Sequence, residues 1–251
     1  MFPGVDARAL VDAVVVAEEC GLDEVWIADE GVAREPASVL AAAAGRTSRI
    51  RLATGITSPV LRHPGAIAST AATLDELSGG RAVIGLGVGG ELSLGPFGLG
   101  TDRPVGLLRD AIGLIRAVHR GSPAPGYAPP AHAMPPREVP VWVGARGPQL
   151  VRLAARVADG LLMSGCTLEE HEAIMGEAEA VGPVAAAIYQ TAVDRPGTST
   201  ELDWDGAHTV LVDAVMRFSP VSIGLNLVQL AVPGTDPAPL VTRAAELLDS
   251  V

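Results

Sequence analysis

The sequence predicts an α/β protein whose strands run parallel in one sheet, with helices packed outside it. Three observations carry this. Short apolar runs alternate with longer stretches of helical spacing along the whole chain, and such alternation implies strands joined by helical crossovers. The stretch from Ile50 to Gly90 reads as one complete strand–helix–strand unit. Ile50 to Ile56 suits a buried strand, Pro64 sits at a helix start, Ala66 to Leu77 is helical in composition, Ser78-Gly79-Gly80 ends it, and Ala82 to Leu86 is the next strand. A parallel pair joined this way takes a right-handed crossover. Finally, 251 residues with 48% hydrophobic content suffice for one large core, and α/β barrels of about this length fold as one domain. A single domain over residues 1–251 is expected.

The elements follow in order. Asp6 is placed to cap a helix from Ala7 to Cys20, whose apolar residues recur at helical spacing until Gly21. Val25 to Ala28 is a buried strand closed by Asp29 and Glu30. Pro36 to Arg46 is an alanine-rich helix, and the Ile50–Gly90 unit comes next. After a glycine-rich loop (Gly95 to Gly100), Pro104 opens a helix to about His119. Ser122 to Arg137 holds six prolines and is expected to be an extended surface loop. Val139 to Val143 is a strand; Gln149 to Ala158 a helix; Gly160 to Met163 a strand; Thr167 caps a helix to about Val181. Ala185 to Ala192 is a strand, Pro196 to Trp204 a polar loop, Ala207 to Phe218 a helix, Ile223 to Leu230 the last strand and Pro239 to Leu248 the last helix. That makes seven strands and eight helices. A closed (β/α)8 TIM-like barrel needs eight strands. Because the chain opens on a helix, the unfilled place is the first, and only Met1 to Val5 stand ahead of it. A stub there, or a start further upstream, would fill it; a doubly wound open sheet is the rival fold.

Composition excludes several classes. The formal charge is −11, without blocks of Lys and Arg, so nucleic acid is not an expected partner. An anionic cofactor stays open, since it needs only a local cluster of backbone N–H groups. Cys20 and Cys166 stand far apart with no CxxC, HxH or HExxH spacing, as expected of free thiols in a reducing cytosol and of a chain with no metal site. No long apolar run marks a membrane span, and MFPGVDARAL lacks the features of a signal peptide. The expected location is cytoplasmic.

Ligands of parallel α/β sheets collect at the C-terminal strand ends, and the candidate residues cluster there. Gly85, Gly87 and Gly90 formally match GxGxxG, but Glu91 to Pro96 opens no clean helix and Asp110 falls inside a helical segment, so a dinucleotide fingerprint is disfavoured. The turn Gly87-Val88-Gly89-Gly90 either tightens the chain or exposes backbone on which a flat ring or a phosphate could lie. Gly144-Ala145-Arg146-Gly147-Pro148 leaves a strand and enters a helix, so free N–H groups and the positive helix end point one way. Arg146 could add a charge-assisted bond there, or simply be solvated. Asp29, Glu30 and Glu91 follow strands directly. They are catalytic candidates, because burial or a neighbouring like charge would raise a carboxyl pKa and make it a proton donor. Asp29 could instead bind nearby loop backbone. His63, before Pro64, reads as structural.

These residues also carry a resemblance. Gly21-Leu22-Asp23-Glu24-Val25-Trp26-Ile27-Ala28-Asp29, Thr47 to Leu52, Arg62-His63-Pro64, Thr73 to Arg81 and the stretch from Gly144 to Ala158-Asp159-Gly160 resemble the luciferase-like flavin and deazaflavin oxidoreductases, over about residues 6 to 163. The resemblance implies a (β/α)8 barrel that binds reduced FMN or the 8-hydroxy-5-deazaflavin coenzyme (coenzyme F-420). It implies a bulge with a non-prolyl cis peptide behind the ring, matching Gly55–Ile56 and followed by Thr57. It implies cofactor contacts from the turns matching Gly87, Val88, Gly89 and Gly90 and matching Ala145, Arg146, Gly147 and Pro148. Three departures stand out: Asp29-Glu30 replaces the Asp-His of many deazaflavin members, the first strand is missing or vestigial, and the C-terminal third is short, with Ala185 to Leu230 matching only loosely. The expected reaction is hydride transfer to a small organic substrate, with Glu30 or Glu91 donating the proton. The alternatives are an FMNH2-dependent monooxygenase and a non-catalytic, cofactor-binding barrel. A homodimer is left open.

Overall fold

The structure, a computed structural model, describes residues 6–29, 34–130, 137–198, 201–227 and 236–251. In chain order the elements are α1 (Ala7–Glu19), β1 (Glu24–Ile27), α2 (Pro36–Ala44), β2 (Arg51–Thr57), α3 (Pro64–Ser78), β3 (Ala82–Leu86), α4 (Glu91–Leu94), α5 (Pro104–Arg120), β4 (Val141–Gly144), α6 (Pro148–Val157), β5 (Gly160–Ser164), α7 (Leu168–Glu179), β6 (Ala186–Ala192), β7 (Glu201–Leu202), α8 (Trp204–Phe218), β8 (Ser222–Asn226) and α9 (Pro237–Leu248). Local signals set the boundaries. The Asp6 carboxylate accepts the Arg8 N–H at 2.7 Å to cap α1, and Thr167 with Glu170 forms a reciprocal capping box on α7. Gly79, at φ 70°, ends α3 in the left-handed region.

β1 to β6 lie side by side in sequence order, all parallel, and β6 pairs with both β7 and β8. Helices cover the outer face, and the main apolar core lies between them and the sheet. The architecture is the curled parallel sheet of an incomplete barrel, as the sequence implies. Two elements differ from the sequence reading. Glu91–Leu94 forms a single helical turn, followed by a 3-10 turn at Gly95–Phe97; one turn is too short to show periodicity. Within the expected polar loop, Glu201–Leu202 pairs with Thr191 and Ala192, a strand too short and polar to leave an apolar run. Residues 131–136 of the proline-rich loop and 228–230 of the expected last strand lie outside the described residues, as do Met1 to Val5.

The concave side has its own core. Ala53, Val83, Trp142, Leu162, Ala187 and Tyr189 are buried together, with Trp26 and Ile56 packed on them. Trp26 meets Trp142 and Tyr189 edge-to-face, with centroids 6.0 and 6.3 Å apart, the geometry aromatic quadrupoles favour. Glycine makes the room: a Cβ on Gly160 would lie 2.5 Å from the Trp142 ring.

Among the described residues, no backbone ladder closes the barrel. Among the described strands, β1 pairs with β2 and β8 with β6, and nothing pairs β8 to β1. A cavity of about 840 Å³ runs along this seam, walled by Leu10 and Val14 of α1, Val25 of β1, Ile223 of β8 and Val241 of α9. Outside the seam α1 packs against α9. At its N-terminal end side chains bridge it: the buried Glu24 carboxylate accepts from Ser222 Oγ at 2.6 Å and from the Tyr189 hydroxyl, and pairs with Arg51 at 2.7 Å.

Candidate active site

The site is built on an irregularity in β2. Its register against β3 shifts between Thr54 and Thr57, and the Gly55–Ile56 peptide is cis, as the resemblance implied. Around the bulge a side chain takes over part of the ladder: Thr54 Oγ1 donates to the Gly85 carbonyl and accepts the Gly85 N–H, both at 3.1 Å. The surrounding glycines are there for close approach. A Cβ on Gly55 would lie 2.6 Å from Trp26 Cβ, and one on Gly85 would lie 2.0 Å from the Thr54 carbonyl oxygen. The Ile56 side chain is wedged between two more: a Cβ on Gly87 would come 2.1 Å from Ile56 Cδ1, and one on Gly144 would come 3.1 Å from Ile56 Cγ2.

Beside this wedge lies a cavity of about 140 Å³ lined by Asp29, Ile56, Ser58, Val88, Gly89, Gly90, Ser93 and Gly144. Apart from Ser93 of α4, these lie at or just beyond the C-terminal ends of β1 to β4. Ser58 Oγ donates to the Val88 carbonyl at 3.0 Å and the Gly87 N–H donates to the Thr57 carbonyl at 3.0 Å, tying the two turns together. Gly89 holds φ 84°, which favours glycine. The larger seam cavity reaches the same mouth at Gly55, Arg146, Ser164 and Asn226. The smaller cavity is the better candidate for the ring, because it is lined by the bulge and the glycine turn; the larger one follows from the open seam.

The loop from Gly144 to Pro148 joins β4 to α6, as expected, with one difference. Gly147 begins α6 with no side chain capping it, and Pro148 occupies the first turn, so backbone N–H groups and the positive helix end are presented. Arg146, exposed, is not simply solvated. Its Nη2 donates to the carbonyls of Ser164 at 2.5 Å and Gly165 at 3.1 Å, which fixes the guanidinium beside the end of β5.

The carboxylates separate. Asp29 is nearly buried, at 11% side-chain exposure, and is engaged on both oxygens. Its Oδ2 accepts from Thr57 Oγ1 and Arg62 Nε, each at 2.8 Å, and its Oδ1 accepts from Arg62 Nη2 at 3.3 Å. The hydrogen bond that Arg62 donates to Asp29 raises the Arg62 pKa. Asp29 is therefore an ion-paired acceptor, and the expectation that its negative charge would keep a neighbouring carboxyl protonated meets a neutralising cation. Glu91 is exposed in the first turn of α4. Glu30 lies outside the described residues. His63 has the structural role expected: its Nδ1 accepts the Gly65 N–H at 3.1 Å and caps α3. Sequence reasoning missed Arg62 as Asp29's partner, and also Ser58 and Ser93; the Arg62-His63-Pro64 stretch was the available signal for the first.

A family model described as luciferase-like monooxygenase matches residues 3–190. The chain belongs to this family. It is 32% identical over 163 residues to the 5,10-methylenetetrahydromethanopterin reductase of Methanolobus tindarius, covering 62% of this chain and 50% of that protein. It is 30% identical over 234 residues to the F420-dependent glucose-6-phosphate dehydrogenase of Kineococcus radiotolerans, covering 85% and 69%. The chain spans about half the length of several curated relatives it matches. Among solved structures, the coenzyme F420-dependent tetrahydromethanopterin reductase from Methanopyrus kandleri superposes with a TM-score of 0.77 at 19% identity, over 99% of this chain and 95% of that one. The monooxygenase RslO1 from Streptomyces bottropensis gives 0.75 at 20%, over 97% and 93%. These two likenesses speak to the fold. Among the described residues, no helix is long and apolar enough to cross a membrane.

Proposed function

We propose that this protein is an oxidoreductase that holds a reduced deazaflavin or FMN across the strand ends and reduces a small organic substrate. The observation that carries the reading is the glycine-rich cradle beside the bulge. The Ile56 side chain occupies the room left by Gly87 and Gly144, and Ile56, Val88, Gly89, Gly90 and Gly144 line a space that suits the edge of a flat ring. The donor set fits the rest of such a molecule, since the uncapped start of α6 and the fixed Arg146 offer N–H groups to a phosphate. The relatives support it: the Kineococcus protein is named for its F420 dependence, and a solved relative, the 3,6-diketocamphane monooxygenase component from Pseudomonas putida, is in complex with FMN at a TM-score of 0.61.

When bound, the cofactor supplies the hydride. The chain's own residues do the rest. Gly55, Ile56 and Thr57 would back the ring, Gly87 to Gly90 would meet its edge and the start of its chain, Ala145 to Pro148 would hold the phosphate, and Glu30 or Glu91 would hand over the proton. A second reading, an FMNH2-dependent monooxygenase, is favoured by the monooxygenase among the structural neighbours. Turnover with and without oxygen separates the two. The binding test is a fluorescence titration with FMN, with the deazaflavin and with NADPH. Saturable quenching by either of the first two supports the proposal; tight NADPH binding with no response to them refutes it.

A further inference from the structure

We propose that Asp29 is a positioning residue, a carboxylate that locks the bulged end of β2 in place with Arg62 as its clamp, and that it is not the proton donor. The inference rests on the cofactor reading above. Three elements converge on this one carboxylate. Thr57, the first residue after the bulge and itself buried, donates its hydroxyl to Oδ2. Arg62, in the turn before α3, grips both oxygens through Nε and Nη2. The Asp29 N–H points back to the Ile56 carbonyl at 3.4 Å. Asp29 therefore holds Ile56 by its backbone and Thr57 by its side chain, and Asp29, Ile56 and the adjoining Ser58 line the cavity at the strand ends.

Arg62 extends the clamp. Its Nη2 also lies 3.3 Å from Glu35 Oε1, and Glu35 caps α2 by accepting the N–H groups of Ala37 and Ser38 at 3.2 and 2.6 Å. One guanidinium thus holds the end of β1 and the start of α2, on either side of the stretch that carries Glu30. The two-point grip matters because a planar guanidinium fixes direction as well as distance, which an ammonium does not. Both oxygens of this carboxylate are already taken up as acceptors, from Thr57 and from Arg62.

Positioning and proton donation predict different outcomes for Asp29→Asn, which keeps the size and removes the charge. Under the proposal, the dissociation constant for FMN or the deazaflavin rises about tenfold or more, because ring-binding backbone displaced by even 1 Å is costly. The pH profile of any turnover keeps its shape. Thr57→Val weakens binding in the same direction, and Arg62→Lys, which keeps charge without the two-point grip, falls between wild type and Asp29→Asn. Unchanged affinity with a lost limb of the pH profile makes Asp29 the proton donor and overturns the proposal. Hydrogen exchange without cofactor is the independent readout: the amides of Ile56 to Ser58 should exchange faster in Asp29→Asn, and unchanged rates there also overturn it. A wild-type protein that binds neither cofactor refutes the proposed function instead, and the exchange experiment still decides the clamp.

Discussion

Replacing Gly87 by alanine, alone and together with Ile56→Val, tests whether the cradle has the geometry described. The new Cβ would stand 2.1 Å from Ile56 Cδ1, well inside van der Waals contact, and 3.3 Å from the Gly144 carbonyl oxygen, which it could nearly tolerate. The clash is thus almost wholly with one methyl group. Overpacking of this kind costs about 1–3 kcal/mol. Ile56→Val removes that same Cδ1; alone it should cost about 0.5–1.5 kcal/mol, at the low end because Ile56 is half-buried. In the double variant the clash is gone, so its destabilisation should fall below the sum of the two single ones by about 1 kcal/mol or more. Thermal unfolding reads this as a recovery of about 2–4 °C per kcal/mol in a domain of this size. Gly85→Ala is the control: its Cβ would meet the backbone oxygen of Thr54 at 2.0 Å, and no change at Ile56 should rescue it. Additivity of Gly87→Ala and Ile56→Val within about 0.5 kcal/mol would refute the wedge.

Arg146→Ala should weaken cofactor binding by about 1.5–3 kcal/mol if a remaining N–H of the guanidinium reaches a phosphate; unchanged affinity in titration would leave the α6 backbone alone to hold it. Tyr189→Phe keeps the ring against Trp26 but removes a hydroxyl that donates to the buried Glu24 carboxylate, so it should cost about 1.5–3 kcal/mol, read by chemical denaturation. Glu18→Gln should destabilise at neutral pH. Burial works against the Glu18 charge, but the N–H groups of Ile50, Arg49 and Ser48 outweigh it and bring the pKa from 4.5 to about 2. A depressed carboxylate stabilises above its unfolded value, so the gap to wild type should close as pH falls from about 4.5 towards 2. His171, fully buried with neither ring nitrogen partnered among the described residues and with Phe218 against it, has its pKa lowered by burial, the nearby Glu170 opposing and Arg146 reinforcing that shift. The unfolded chain then binds the proton more readily, so stability is full above about 6.5 and falls as pH drops below it; His171→Leu should flatten that part of a stability–pH curve.

The order of strands and helices was legible because its signals are local. Caps such as Asp6 and Thr167, glycine stops such as Gly79, and short apolar runs all act within a few residues of themselves. What escaped was either too short to be periodic, as at Glu91–Leu94, or too polar to look like a strand, as at Glu201–Leu202. The site was legible in part. Its glycines were visible, but what each makes room for was not: Gly87 is paired with Ile56 and Gly160 with Trp142 by the curl of the sheet. The carboxylates misled for the same reason. Asp29 and Glu30 are neighbours in sequence and suggest mutual repulsion, yet the charge that decides Asp29's behaviour is Arg62, 33 residues away. Arg146 likewise looks free until the end of β5, 18 residues on, supplies the carbonyl that binds it.

The open seam and the cradle are not independent features. Glu24 bridges the seam through the Tyr189 hydroxyl, the Tyr189 ring packs on Trp26, and Trp26 lies against the positions where Gly55 and Gly85 lack a Cβ. That is an unbroken series of contacts from the seam side of β1 to the bulge beside the cavity. In a closed barrel a backbone ladder would hold β1 against β8. Among the described residues, one carboxylate, two hydroxyls and a layer of aromatic rings link the two sides instead. Contact alone does not establish energetic coupling. The decisive comparison is Tyr189→Phe with Asp29→Asn in the same hydrogen-exchange experiment. If loosening the seam speeds exchange at Ile56 to Ser58 as loosening the clamp does, the aromatic layer couples the seam to the bulge. If only Asp29→Asn does so, the clamp holds the site by itself, and the seam can open without disturbing it.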